Sequence, residues 1–217
     1  MKGGEVDPTK RSDAFRSPKL TWDDSLGVGY YPVELVGQYD KKYWDRYHSY
    51  RSNAIADSLM KARADLVGSI YGNAPLVDIG IGSGHFMEKR GAQTFGYDVN
   101  PMAIKWLLER NLWWDPYAVD PEAISCWDSL EHISRPEALV RCVKSMIFIS
   151  IPIFADPEHV MRSKHYRPDE HFWYFTRDGL INWMRRYGFS LVEENRMETN
   201  LGREDIGTFV FKRICWR

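Results

Sequence analysis

Asp128, Glu131 and His132 stand at offsets of three and four in the run Asp128-Ser129-Leu130-Glu131-His132. If a helical turn begins at Asp128, this spacing puts two carboxylates and an imidazole on one face, where they could meet one cation or one substrate hydroxyl. Further on, His159, His165 and His171 are set among Tyr166, Phe172, Trp173, Tyr174 and Phe175. His165 or His171 could serve as a general base, or complete a metal site with Glu131 and His132. The alternative for any one of these histidines is a loop or packing residue satisfied by its neighbours.

Residues 76 to 100 carry a different chemistry. The apolar run from Leu76 to Ile79, interrupted by Asp78, enters a turn with Gly80, Gly82 and Gly84, and Asp98 follows a second apolar run. That is the layout of a βαβ nucleoside-binding unit. Glycines let the backbone turn sharply and let a ligand approach main-chain N–H groups at a helix start. A carboxylate one strand over, here Asp98, can accept both ribose hydroxyls. A dinucleotide fingerprint would place a glycine five positions after the first, where this chain has His85, which argues against NAD. A phosphate-cradling loop would end Gly-Lys-Ser/Thr, and Ser83-Gly84-His85 supplies no lysine. The ligand reads as a nucleoside without a pyrophosphate.

These motifs resemble those of class I S-adenosylmethionine-dependent methyltransferases, in the small-molecule and ubiquinone-type O-methyltransferase group. Val77-Asp78-Ile79-Gly80-Ile81-Gly82-Ser83-Gly84 matches that family's first motif, Gly96-Tyr97-Asp98 its second, and the run from Asp128 to His132 its segment after the fourth strand. The resemblance extends from about residue 39 to the C-terminus. It implies an α/β fold, a doubly wound, mostly parallel seven-stranded sheet with helices on both faces and an antiparallel C-terminal hairpin. It also implies S-adenosylmethionine as cofactor and S-adenosylhomocysteine as product. The residues it places around the cofactor are Asp78, Gly80, Gly82, Gly84, Asp98, Val99, Asp115 and Asp128.

Asp115 would face the adenine amino group, or simply form a turn before Pro116. Asp115-Pro116-Tyr117 is one proline short of the Asp-Pro-Pro-Tyr motif of DNA amino methyltransferases, and sits one strand too early for it. The catalytic candidates are His132 and His171 as bases, with Glu131. The Asp-x-x-Glu-His spacing is similar to the Glu-x-x-Glu-His with which some relatives bind a divalent ion, but Asp128 reaches one methylene less far. A metal-free site is therefore expected, with a divalent ion as the alternative. In similar methyltransferases a segment before the first strand closes over the site as a lid, which points to Tyr39, Tyr43 and Trp44. Tyr39, Tyr43 and Tyr47 also share one helical face, and the other reading of such a stripe is packing on the domain. His165, Trp173 and Tyr174 complete the expected substrate pocket.

Positioning these groups requires a particular order of elements. Residues 1–20 read as a solvated tail, 21–70 as an N-terminal helical cap or lid, and 71–217 as the cofactor-binding domain. Asn100 and Pro101 start a helix, a short strand spans 112–114, and apolar runs at 123–127 and 146–151 form strands four and five, the latter ended by Pro152. A helix over 177–187 is closed by Gly188, and strands at 189–197 and 207–213 pair across the polar loop 198–206.

Composition agrees. A chain of 217 residues, 44% hydrophobic and 27% charged, can bury one good core. A net charge of −1 gives no overall field for nucleic acid, so a small-molecule acceptor is expected. Cys126, Cys142 and Cys215 are odd in number and lack metal or redox spacing, which suits a reducing, cytoplasmic setting. No apolar stretch is long enough to span a bilayer, so no membrane partner is expected. The reaction expected is in-line methyl transfer to an oxygen or nitrogen of a planar or amphipathic small molecule. Two other classes compete with it. A nucleic-acid-modifying methyltransferase would need a basic groove around Lys164, Arg167 and Arg203. A noncatalytic cofactor-binding module would have its acceptor side filled or without a base.

Overall fold

The computed structural model describes residues 20–32, 41–49, 53–91 and 93–214. Its first elements are a hairpin, β1 (Thr21–Asp23) and β2 (Val28–Tyr30), and two helices, α1 (Lys41–Ser49) and α2 (Ala54–Tyr71). Strands and helices then alternate as β3 (Leu76–Ile79), α3 (His85–Arg90), β4 (Thr94–Tyr97), α4 (Pro101–Glu109), β5 (Ala123–Trp127) and α5 (Pro136–Cys142). They continue as β6 (Met146–Phe154), α6 (Pro157–Arg162), β7 (Trp173–Thr176), α7 (Arg177–Arg186), β8 (Phe189–Asn195), α8 (Met197–Asn200) and β9 (Ile206–Arg213).

Every residue of β3 and β5 is buried, as strands covered on both faces require. Their side chains sort by alternation into two cores. Val77, Ile79, Ile124, Cys126, Ile147 and Ile149 pack with Leu139 and Val140 of α5 and Leu180, Ile181 and Met184 of α7. Leu76, Ala123, Trp127, Met146 and Phe148 pack on the other face with Val67 of α2 and Phe86 of α3. A one-residue slip in any strand would exchange the two sets, so the pattern specifies the register.

The helices start where the sequence allows capping. The Asn53 side chain accepts from the Ile55 N–H, and Asn100 from Met102 with Pro101 in the first turn. Thr176 accepts from Gly179 at the start of α7.

Among the described residues the strands form one nine-stranded sheet. β4, β3, β5 and β6 pair parallel in that order, and β6 then pairs antiparallel with β9, which pairs with β8. The expected strand at 112–114 is reduced to a single parallel bridge between Trp113 and Gly96. With that bridge these are the seven expected positions, terminal hairpin included.

The sheet departs from expectation at the end of β6. β5 stops opposite Ser150, but β6 runs on through Pro152, and its last residues, Ile153 and Phe154, pair with Phe175 and Thr176 of β7. The proline is tolerated because its nitrogen falls between the last β5 partner and the first β7 partner. β7 then pairs with β2, and β2 with β1. The span read from sequence as a helical cap therefore contributes a hairpin to the sheet before it contributes helices. Its turn is seated on α7, where a Cβ at Gly179 would lie 2.1 Å from the Gly27 carbonyl oxygen, so only glycine fits. Among the described residues, no helix is long and apolar enough to cross a membrane.

Candidate active site

The loop between β3 and α3 takes Gly80, Gly82 and Gly84 through positive φ angles of 74°, 54° and 74°. At Gly80 a side chain would also collide, its Cβ falling 2.9 Å from the Ser129 Cβ beyond β5. The glycine thus lets the ends of two neighbouring strands approach. Beside the loop, Asp98 follows β4 and accepts from the Asn100 N–H at 2.8 Å. Burial raises its pKa to about 6, against the amides of Asn100, Val99, Gly82 and Ile81, which favour the ionised form. Val99 next to it is 59% exposed.

Other expected cofactor residues are placed differently. Asp78 is buried within the sheet, where it accepts from the Ser125 hydroxyl at 2.7 Å, and burial pushes its pKa up to about 7. It links β3 to β5 and is not presented at the loop surface. One oxygen of Asp115 accepts from the Tyr117 N–H at 2.9 Å, the turn-forming arrangement. Tyr117 and Trp113 in turn pack on Tyr97, with ring centroids 5.7 and 5.2 Å away, making an aromatic wall near Asp98. Trp44 packs with Ile81 of the glycine loop and with Ala103 and Leu107 of α4. It is a core residue that seats α1 on the loop. Tyr39, the side chains of Tyr43 and Tyr47, the tail at 1–19 and Cys215 lie outside the described residues.

Asp128 does not share a face with Glu131 and His132, which corrects the sequence reading. Its backbone is left-handed, with φ of 57°, and its carboxylate is turned toward two arginines. Arg203 grips both oxygens at 2.8 and 3.0 Å, and Arg63 donates to one of them at 2.9 Å. Arg63 also donates through Nε to Glu198 of α8 at 2.7 Å, and Arg203 bonds the same carboxylate. Burial by itself would raise the Asp128 pKa, but the charges of Arg63 and Arg203 override it and hold the group at about 2. The cations that the nucleic-acid alternative would need for a basic groove are each paired with a carboxylate. Lys164 meets Glu204, Arg167 meets Glu170, and Arg203 is committed to Asp128 and Glu198.

Glu131 and His132 lie in a short 3₁₀ turn spanning Leu130–His132. The turn is tied to the start of β7 by the Phe172 N–H, which donates to the Glu131 carbonyl at 2.9 Å. That tie brings in His171, whose ring packs edge-on to His132 with centroids 4.5 Å apart. One ligand-type atom from each of Glu131, His132 and His171 falls within 4.8 Å of the others. Glu131 is 1% and His171 4% exposed. Yet Glu131 Oε2, His132 Nδ1 and His171 Nδ1 are buried with no hydrogen-bond partner among the described residues. Buried polar atoms are rarely left unpaired unless something binds there.

Burial, followed by the charge of Asp128, raises the Glu131 pKa well above the carboxylate range. Burial also lowers both imidazoles, His171 to about 2 with help from His132 and Arg167. Both rings are therefore neutral at physiological pH. The same three side chains would suit a divalent cation, as one carboxylate and two imidazoles.

His165 is not part of this group, because its Nε2 bonds the Glu204 carbonyl at 2.9 Å. Trp173 and Tyr174, expected together, point to opposite faces of β7 as neighbours in a strand must. Trp173 donates to the Ile133 carbonyl at 3.1 Å and packs against the α5–α7 core. Tyr174 is fully buried, with its ring centroid 5.9 Å from that of His171. Sequence reading missed Arg63 and Glu198, which sit in helices like ordinary surface residues. It also missed the first hairpin, although Asp23-Asp24-Ser25-Leu26-Gly27 between Trp22 and Val28 was a turn signal.

Residues 47–194 match a family described as a methyltransferase domain. Among curated proteins none matches the sequence. The fold is similar to that of magnesium protoporphyrin IX methyltransferase from Synechocystis, solved with bound S-adenosylhomocysteine (TM-score 0.54, 13% identity, 79% of this chain and 93% of that one). It is similar to the CcbJ methyltransferase from Streptomyces caelestis (0.56, 12%, 80% and 98%). It is also similar to 1,6-didemethyltoxoflavin-N1-methyltransferase from Burkholderia thailandensis (0.51, 12%, 90% and 99%).

Proposed function

The chain belongs to the methyltransferase-domain family, and we propose that it transfers a methyl group from S-adenosylmethionine to an oxygen or nitrogen of a small planar acceptor. The observation that carries the acceptor side is the set of unpaired buried atoms on Glu131, His132 and His171, beyond the carboxyl end of β5. Ligands of open α/β sheets lie at that edge. S-adenosylmethionine supplies an electrophilic methyl group when bound. Asp98 holds the ribose, the 80–84 loop offers its amides, and the Tyr97, Trp113 and Tyr117 rings flank the base. His132, whose ring is neutral across the physiological range, takes the acceptor's proton at Nδ1, while His171 and the protonated Glu131 line the same pocket. The rings of His132, His171 and Tyr174 favour a planar acceptor.

Because ribose binding needs the ionised carboxylate, affinity for S-adenosylhomocysteine is expected to fall as pH drops through the Asp98 pKa of about 6. Calorimetry between pH 8 and pH 5 tests this, and a flat profile counts against Asp98 as the ribose acceptor.

A second reading is favoured by the same three orphaned atoms. Glu131, His132 and His171 would hold a divalent ion, which would supply a Lewis acid at the acceptor, while Asp128 is kept from the set by its arginines. One experiment addresses both readings. Methyl-labelled S-adenosylmethionine is incubated with phenols, nitrogen heterocycles and RNA, with and without chelator. Label in a small planar compound that survives chelation supports the metal-free proposal. Activity lost to chelator and restored by one metal supports the second reading. Label in RNA alone, or bound cofactor with no transfer to any compound, overturns both.

A further inference from the structure

The turn that delivers His171 to the pocket also meets His132 from its other side. We infer that Arg167 and Glu170 are positioning residues for His132, holding the turn 167–170 so that the Glu170 carbonyl takes the His132 Nε2–H and leaves Nδ1 open to the acceptor. This rests on the methyltransferase reading and adds to it two residues that act on the acceptor's proton only through the base.

The local sequence builds the turn. Arg167-Pro168-Asp169-Glu170 has proline second and aspartate third, residues that a tight turn takes at those positions. The Glu170 N–H closes it onto the Arg167 carbonyl at 3.0 Å, and the His171 N–H shares that carbonyl at 2.8 Å. The side chains at the two ends then meet across it, Arg167 Nη1 donating to Glu170 Oε2 at 2.9 Å. Just beyond, the Phe172 N–H is held by the Glu131 carbonyl, and the Phe172 carbonyl accepts from the Tyr31 N–H at 2.8 Å. The chain from 167 to 172 is therefore pinned at both ends, with His171 between them.

His132 shows what the turn is placed to do. Its Nδ1 is buried without a partner among the described residues, so the hydrogen bond between its ring and the Glu170 backbone belongs to Nε2. That bond favours the protonated ring, as an accepting carbonyl does. A neutral imidazole carries one proton, and a bond at one nitrogen decides where it sits. With the proton on Nε2, Nδ1 keeps the lone pair that a base needs. Burial lowers the pKa of the ring, and the two charges of the pair then act on it in opposite senses, Glu170 favouring the imidazolium and Arg167 opposing it. The pair therefore sets where the ring points more than what charge it carries. Its side chains are 49% and 30% exposed, and a pair so exposed contributes little to folding. Its place beside the base matters more, because a misplacement of about 1 Å at a reacting group can cost about a hundredfold in rate.

Magnetic resonance on the chain labelled at its histidine nitrogens follows the His132 Nε2–H, assigned as the signal absent from His132→Gln. A ring N–H proton is observed only while it is hydrogen-bonded and shielded from exchange with water. The signal should be present in the native chain, lost in Arg167→Ala and in Glu170→Ala, and kept in Glu170→Gln, whose amide oxygen still accepts from Arg167. With an acceptor found among the phenols and nitrogen heterocycles, both alanine variants should turn over about tenfold more slowly or worse. The KM for S-adenosylmethionine and the affinity for S-adenosylhomocysteine should not change, Glu170→Gln should run near the native rate, and thermal unfolding should hardly shift. A His132 signal that survives both alanine variants, or a native chain without one, overturns the inference. So does a loss of cofactor affinity or of folding stability in step with the rate, which marks a merely structural role. If no compound is methylated the methyltransferase reading fails, and the resonance still decides whether the pair positions His132.

Discussion

Replacing Arg63 by alanine is expected to lower the unfolding free energy by about 3–5 kcal/mol, the cost of breaking a buried ion network from one side. Arg63 is 4% exposed and is bonded to Asp128 and to a Glu198 that is fully buried. Without it Glu198 keeps only Arg203, and Trp127 loses the guanidinium over its ring. The comparison is Arg177→Ala on the surface. Arg177 grips Glu194 as closely, at 2.7 Å, but is half exposed, so the loss there should stay below about 1 kcal/mol. Urea denaturation of the two variants measures the difference. A loss of under about 1 kcal/mol for Arg63→Ala would show that the network contributes little net stability, as some buried ion pairs do.

The second large effect is on cofactor binding. Asp98→Ala should weaken S-adenosylhomocysteine by about 2–4 kcal/mol, the value of a pair of hydrogen bonds to a charged acceptor. The Asp98 carboxylate also accepts from the Asn100 N–H, so the loop after β4 loses an anchor as well. Asp98→Asn keeps an acceptor for that amide and should retain part of the affinity. Calorimetry separates the cases, and unchanged affinity in the alanine variant rules out Asp98 as the ribose ligand.

Some of the site was readable from residue types alone. Positive φ at Gly80, Gly82 and Gly84 is what glycine in that pattern is for, and Asp98 stands at the end of the next strand as its spacing required. Glu131, His132 and His171 were each named from the sequence. The sequence offered either His165 or His171 to join Glu131 and His132; the choice of His171 was not legible, because it rests on the pairing of β7 with the end of β6 and the bond from Phe172 to Glu131. Asp128 was misread for a related reason. The offset of three and four assumed a helical turn from Asp128 onward. The left-handed φ at that residue breaks the turn before it starts and sends the side chain the other way.

What the sequence by itself determined is whatever depends on near neighbours along the chain. The mostly apolar runs that become β3, β5 and β6, the asparagine and threonine caps, the glycine turn and the antiparallel last hairpin each have a pattern within a few residues, because periodicity and capping are local. The tertiary structure alone decided the charge network and the closing of the histidine pocket. Arg63 finds Asp128 across 65 residues and Glu198 across 135, and Arg203 finds Asp128 across 75. A guanidinium that will be buried in an ion pair has the same local sequence signature as one that will face water, so the choice between them is made only when the strands and helices pack.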